Sequence, residues 1–106
     1  MISISNAEAF NGRPAHCPQR AWCGCYLANH FGYQDKALWK ASQWAKIGRR
    51  VPYPMVGAIA VYPHHVGVIT GVPKRGEIVL LSGNDGNQVR ERSRSTKGII
   101  AFVQLP

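Results

Sequence analysis

Three residues, Cys23, His65 and Asn84 in chain order, have the types and settings for nucleophilic chemistry. Cys23 stands in Arg20-Ala21-Trp22-Cys23-Gly24-Cys25-Tyr26-Leu27, where a polar loop turns into an apolar helical stretch. A helix start offers unpaired N–H groups and a positive dipole end. Both stabilise a thiolate, and cysteines so placed have pKa values lowered from about 8.5 to as low as about 3.5. Cys23 is therefore a candidate nucleophile. The competing expectation is a core cysteine, since free cysteine is among the most buried residue types.

His65 lies in Pro63-His64-His65-Val66-Gly67-Val68-Ile69, at the start of a strongly β-forming run. Strand alternation puts His65, Gly67 and Ile69 on one face and Val66, Val68 and Thr70 on the other. Gly67 leaves space beside the ring for another side chain to approach. The alternative is that His64 and His65 are turn residues. Asn84 ends the apolar strand Ile78-Val79-Leu80-Leu81-Ser82-Gly83-Asn84. Its side-chain oxygen can accept the second ring N–H of His65 and fix the tautomer. As a structural residue it would initiate the turn that follows.

The elements that must position these residues divide the chain in two. Residues 1–21 read mostly as loop, with a short helical turn at Asn6 to Phe10. A helix is expected from Trp22 to Phe31, stopped by Gly32, with Cys23, Tyr26, Leu27 and His30 sharing one face. Cys25 then lies about 200° around the axis from Cys23. A second helix is expected from Lys36 to Ile47, with Asp35 as N-cap and Gly48 as terminator. Five strands follow, at Val56–Tyr62, His65–Gly71, Glu77–Ser82, Gln88–Arg92 and Ile99–Gln104. Turn signals separate them, among them Pro63-His64 and Asn84-Asp85-Gly86-Asn87. Helices first and an antiparallel meander second predict an α+β fold, with N-terminal helices packed on a curled five-stranded sheet. At 106 residues and 45% hydrophobic content the chain has the material for one domain, residues 1–106.

The ordered set Trp22-Cys23, Pro54-Met55-Val56-Gly57, His65-Val66-Gly67 and Gly83-Asn84 resembles the papain-like cell-wall cysteine peptidases and amidases of the NlpC and CHAP type, most closely their small bacterial and phage-associated members. The resemblance covers roughly residues 20–104. It implies a papain-like fold, with Cys23 as nucleophile, His65 as general base and then acid, and Asn84 as the orienting group. It implies no cofactor and no metal, and a peptidoglycan or peptide substrate. The backbone N–H of Cys23 would supply half of an oxyanion hole. Gln19 or His16, close by in sequence, would supply a side-chain donor, with Trp22 beside them. Two departures stand out. Ala58 replaces an acidic residue common after Pro-x-x-Gly, and His64 replaces a glycine common before the histidine, which leaves open whether His64 or His65 reaches Cys23.

Rival readings rest on other residues. His16, Cys17, Cys23 and Cys25 crowd into one short stretch, but zinc ligands usually come as two separated pairs, and Cys-x-Cys within a helix points its sulfurs apart. The balance of 13 Lys and Arg against 5 Asp and Glu gives a formal charge of +8, which attracts anionic polymers. Arg90, Arg92 and Arg94 would share one strand face as a solvated edge, a cell-wall docking strip or a nucleic-acid surface. The chain would then be a non-catalytic binding or structural module of a phage or secretion assembly. With three cysteines, at least one thiol is free or paired elsewhere. That favours a reducing compartment and leaves a Cys17 bridge outside the cell open. Neither a membrane span nor a secretion leader is expected, so the routes are cytoplasmic action or delivery by lysis, phage or a secretion system.

Overall fold

The computed structural model describes residues 10–106. It is an α+β structure with one antiparallel sheet, and the one α-helix among the described residues, α1 (Cys23–Phe31), is where the sequence put it. Gly32 ends α1 in the left-handed conformation, at φ 78°. Its N–H donates to Asn29 O and the Tyr33 N–H to Ala28 O, a Schellman closure that satisfies two terminal carbonyls. The turn expected over Asn6 to Phe10 falls outside the described residues except for Phe10.

The second helix does not form as a single α-helix. Two 3-10 segments, Lys36–Trp39 and Ala41–Lys46, replace it, with Lys40 extended between them at ψ 120°. The cause is a diverted acceptor. Trp44 Nε1 donates to Leu38 O at 2.7 Å, taking the carbonyl that an α-helix would offer to the N–H of Ser42. Gly24 packs α1 against the same backbone, where an added Cβ would collide with the carbonyls of Leu38 and Trp39. Asp35 caps the first segment as expected, its Oδ1 accepting from Ala37 N at 2.9 Å.

Six strands form the sheet, not five: β1 (Arg49–Val51), β2 (Ile59–Tyr62), β3 (His65–Lys74), β4 (Glu77–Ser82), β5 (Arg90–Ser95) and β6 (Ala101–Gln104), in spatial order β1-β6-β2-β3-β4-β5. β1 is a polar edge strand, paired Arg49 with Gln104 and Val51 with Phe102. Three residues without alternation give it no local signature. The expected first strand loses its start because Gly57 takes φ 91° in a turn.

Two apolar clusters lie on the two faces of the sheet. On one, Ile59, Val61, Val66, Val68 and Val103 meet Cys23, Leu27, Leu38 and Trp44 from the helical segments. On the other, Ala60, Ile69, Ile78 and Leu80 are buried together with the flanks of Tyr62 and Phe102. Among the described residues no helix supplies a residue to this second cluster, and the curl of the sheet encloses it. The Tyr62 hydroxyl on β2 donates to Ser95 O at the end of β5 at 2.7 Å, although β3 and β4 lie between them. Three strand spacings in a flat sheet would separate these strands by about 14 Å. Among the described residues no helix is long and apolar enough to cross a membrane.

Candidate active site

Cys23 is the first residue of α1, after a sharp turn in which Ala21 takes φ 49°. No side chain caps the helix start. The thiol is buried, 3% exposed, with Sγ 4.0 Å from the carbonyl oxygen of His64. Burial pushes its pKa up, while the backbone N–H groups of Val66, Gly24 and Cys23 and the charge of Arg94 pull it down. Burial wins, so the thiol is neutral at rest. That reverses the expectation of a thiolate made by the helix start alone: the N–H groups are there, but loss of water outweighs them. The sulfur sits against the backbone on both sides of His65.

His65 begins β3, opposite Tyr62 of β2. Its ring is half-buried, whereas His64 is exposed. Nε2 lies 2.9 Å from Ser82 Oγ, and the ring centroid is 6.3 Å from that of Tyr62. Burial first, then the charge of Arg94, lowers the His65 pKa from 6.5 to about 4. The imidazole is neutral at pH 7 and able to take a proton. With Nε2 on Ser82, Nδ1 is the nitrogen left for a reacting group. Gly67 serves a tighter purpose than open space beside the ring: an added Cβ would meet Leu80 Cγ and Leu81 O, both at 2.7 Å.

Asn84 stands two residues past Ser82, in the left-handed region at φ 53°. Among the described residues its side chain makes no hydrogen bond to His65; Ser82 Oγ is the hydrogen-bond partner of that ring. Ser82 is fully buried and is the residue that sequence reasoning missed. A signal existed, because Ser82 alternates with Ile78 and Leu80 and so shares the face of His65. The following loop is pinned at Asp85, whose Oδ2 and Oδ1 accept from Arg92 Nε at 2.6 Å and Nη2 at 2.8 Å. The Arg92 guanidinium holds the Asp85 carboxyl below its ordinary pKa.

The proposed substrate contacts are placed differently. Trp22 is fully buried, with Nε1 donating to Asn87 Oδ1 at 3.2 Å, so it braces the loop and is closed to a substrate. His16 stands beside Trp39 and 3.9 Å from Cys17 Sγ. Gln19 lines a cleft with Phe10, Asn11, Arg13 and Asn87. Neither makes a hydrogen bond to Cys23 among the described residues. Cys17 and Cys25 form a disulfide, leaving Cys23 as the free cysteine. Among the described residues His16, Cys17 and Cys25 are also the one cluster of three potential metal ligands, but in this state the two sulfurs are joined to each other.

Arg90, Arg92 and Arg94 do share a face, paired with Ser82, Leu80 and Ile78. It is not a strip of free cations. Arg92 is neutralised by Asp85, and the Arg94 guanidinium lies 5.0 Å over the Tyr62 ring, inside the curl. No protein family, no curated protein and no solved structure matches the chain.

Proposed function

We propose that the chain is a thiol-dependent amide hydrolase with a papain-like arrangement, in which Cys23 is the nucleophile and His65 the general base and then acid, acting on bacterial cell-wall peptide. One observation carries this reading: the free thiol at the start of α1 rests on the His64–Val66 backbone while Ser82 holds Nε2 of the intervening histidine. The choice of substrate rests on the motif resemblance and the +8 charge.

Both groups begin neutral, so the thiol proton passes to His65 Nδ1 as Sγ attacks the amide carbonyl. Backbone N–H groups at the start of α1 face the developing oxyanion. The imidazolium then protonates the leaving amine and a thioester remains. Water, deprotonated by His65, releases the acyl group as an acid and restores the thiol. In the tautomer with the proton on Nε2, that N–H donates to Ser82 Oγ and Nδ1 is free to accept, so Ser82 positions the ring, the part first expected of Asn84.

The test is iodoacetamide labelling of Cys23 between pH 5 and 9, in the wild type and His65→Ala, followed by turnover on purified muropeptides. Labelling that falls about tenfold or more without His65 supports the pair. A rate no greater than that of glutathione, unchanged in His65→Ala, sinks it. The burial of Cys23 favours a second reading, a non-catalytic module of a phage or secretion assembly. Retention on insoluble peptidoglycan by Cys23→Ala, with no turnover by the wild type, selects that module.

A further inference from the structure

His16, Cys17 and Cys25 form a cluster that no step of the proposed hydrolysis uses. Their ligand atoms, one ring nitrogen and two sulfurs, all lie within 4.8 Å of one another. Cys23 is not a member, since its sulfur rests against the His64 carbonyl. Cys17 and Cys25 are buried, and the exposed His16 stands beside them with Nε2 3.9 Å from Cys17 Sγ. A disulfide that served only as a staple needs no imidazole at its side. Two ligands of one tetrahedral zinc, with nitrogen at about 2.1 Å and sulfur at about 2.3 Å, stand about 3.6 Å apart, so this histidine is already near ligand distance.

The sulfur–sulfur bond is not the sole support of this arrangement. Cys17 N donates to Pro14 O at 3.0 Å, and Arg13 Nη1 donates to the carbonyls of Pro14 at 3.3 Å and Cys17 at 2.5 Å. Cys25 is fixed in the first turn of α1, next to the glycine that lets the helix press on the backbone of Leu38 and Trp39. The ring of His16 lies 6.4 Å from that of Trp39. With the two Cα atoms 5.8 Å apart, opened thiols still face each other and the imidazole. His16 and Cys25 also line a cleft of about 350 Å³, walled by Asn29, Lys36 and Trp39, which gives an ion a way in and leaves room for water.

We propose that His16, Cys17 and Cys25 are a redox-gated site for a thiophilic divalent ion, with zinc the best match to two thiolates and an imidazole. The site is closed while the disulfide stands and loads once a dithiol has opened it. The dithiol gives up two electrons and two protons and becomes a disulfide itself, as the Cys17–Cys25 bond breaks into two thiols. Zinc then displaces one proton from each thiol, forms two Zn–S bonds and accepts the lone pair of the neutral imidazole. Three protein donors leave the fourth tetrahedral position to water from the cleft. The spacing typical of zinc fingers is not needed, because Cys17 comes from the loop before α1 and Cys25 from the helix itself.

Cobalt(II) is the probe, since thiolate ligands give it near-ultraviolet charge-transfer bands and a tetrahedral field gives it strong visible ones. Protein reduced with a dithiol, which is then removed without air, is titrated beside the oxidised protein. The reduced wild type is expected to take up a single equivalent with both sets of bands, displaced by zinc, and the oxidised protein to show neither. Reduced Cys17→Ser and His16→Ala should each bind at least about tenfold more weakly, and Cys23→Ala as the wild type does. Reduced wild type without thiolate bands, or bands that survive in Cys17→Ser at full strength, overturn the site. Circular dichroism checks the fold after reduction. If the reduced chain has unfolded, zinc must restore the native spectrum in Cys23→Ala and fail to do so in Cys17→Ser, because an unfolded chain recruits any thiol while a built site recruits its own. Zinc that restores neither variant, or both, overturns the site as well.

Discussion

His65 Nε2 and Ser82 Oγ lie 2.9 Å apart, on neighbouring antiparallel strands and on one face of the sheet. The ring is thereby turned so that Nδ1 is left free. A hydroxyl is both donor and acceptor, so Ser82 can serve the neutral imidazole and the imidazolium in turn. Ser82→Ala removes that partner from a fully buried position. It is expected to lower the His65-dependent labelling of Cys23 about tenfold and stability by about 1–3 kcal/mol. Nitrogen NMR of the ring checks the cause, since tautomer exchange should appear. Asn84→Ala should leave the ring signals in place; a reversed ranking would make Asn84 the orienting group.

Acid should destabilise the protein in a defined window. The folded-state pKa of His65, about 4, is below its ordinary 6.5, first because of burial and then because of Arg94; Arg92 also lowers it and Asp85 raises it. Between these values the unfolded chain binds a proton that the folded chain does not. Stability is therefore complete above pH 6.5 and falls as pH drops towards 4. The size is on the order of 2 kcal/mol once screening of a half-buried ring is allowed for. Urea midpoints from pH 7 to pH 4 check it, and His65→Gln should flatten the slope over that interval. A wild-type midpoint that does not move would place the ring in water.

The Cys17–Cys25 disulfide closes a short loop, with a sequence separation of 8, and ties the segment before α1 to the first turn of that helix, within the cluster around Trp22. Loop-closure entropy for that length is about 2.5 kcal/mol. Cys17→Ser should lower the thermal midpoint by roughly 10–20 °C for a domain of this size. Mass spectrometry of the denatured wild-type protein alkylated without reductant should show one labelled cysteine, Cys23, and all three after reduction. Labelling at Cys17 before reduction would contradict the pairing.

The sequence made α1 legible because its signals are local: a polar-to-apolar boundary at Cys23 and a glycine after Phe31. β2, β3 and β4 were legible through apolar runs set off by turn residues. What escaped was decided at long range. The 3-10 geometry after Asp35 depends on a tryptophan that takes the Leu38 carbonyl, and β1 exists through its pairing with β6. The candidate site follows the same rule. Cys23 and His65 announced themselves by residue type. Ser82 and Arg94 did not, because a serine in a strand and an arginine in a basic run become notable once the curl brings Tyr62 against β5. The helix start at Cys23 suggested a low pKa, but the depth of burial that outweighs it is a property of packing.

Gly83 couples the two halves of the candidate site and yields a sharper test than any single polar group. It lies between Ser82 and Asn84, where a Cβ would stand 2.5 Å from Tyr26 Cβ and 2.8 Å from Trp22 Cζ3. Trp22 precedes Cys23 and Tyr26 lies about one turn of α1 after it, so the glycine lets β4 end against the start of the helix. Gly83→Ala forces them apart, and Tyr26 Cβ has no rotamer with which to give way. Overpacking of this kind costs about 1–3 kcal/mol, which a shift of the thermal midpoint will register. The larger effect is expected on geometry. At temperatures where the variant is fully folded, the His65-dependent labelling of Cys23 should fall by an order of magnitude or more, because a displacement near 1 Å at a reacting centre can cost a hundredfold. If stability drops while that labelling rate stays at the wild-type value, the approach of β4 to α1 serves packing alone.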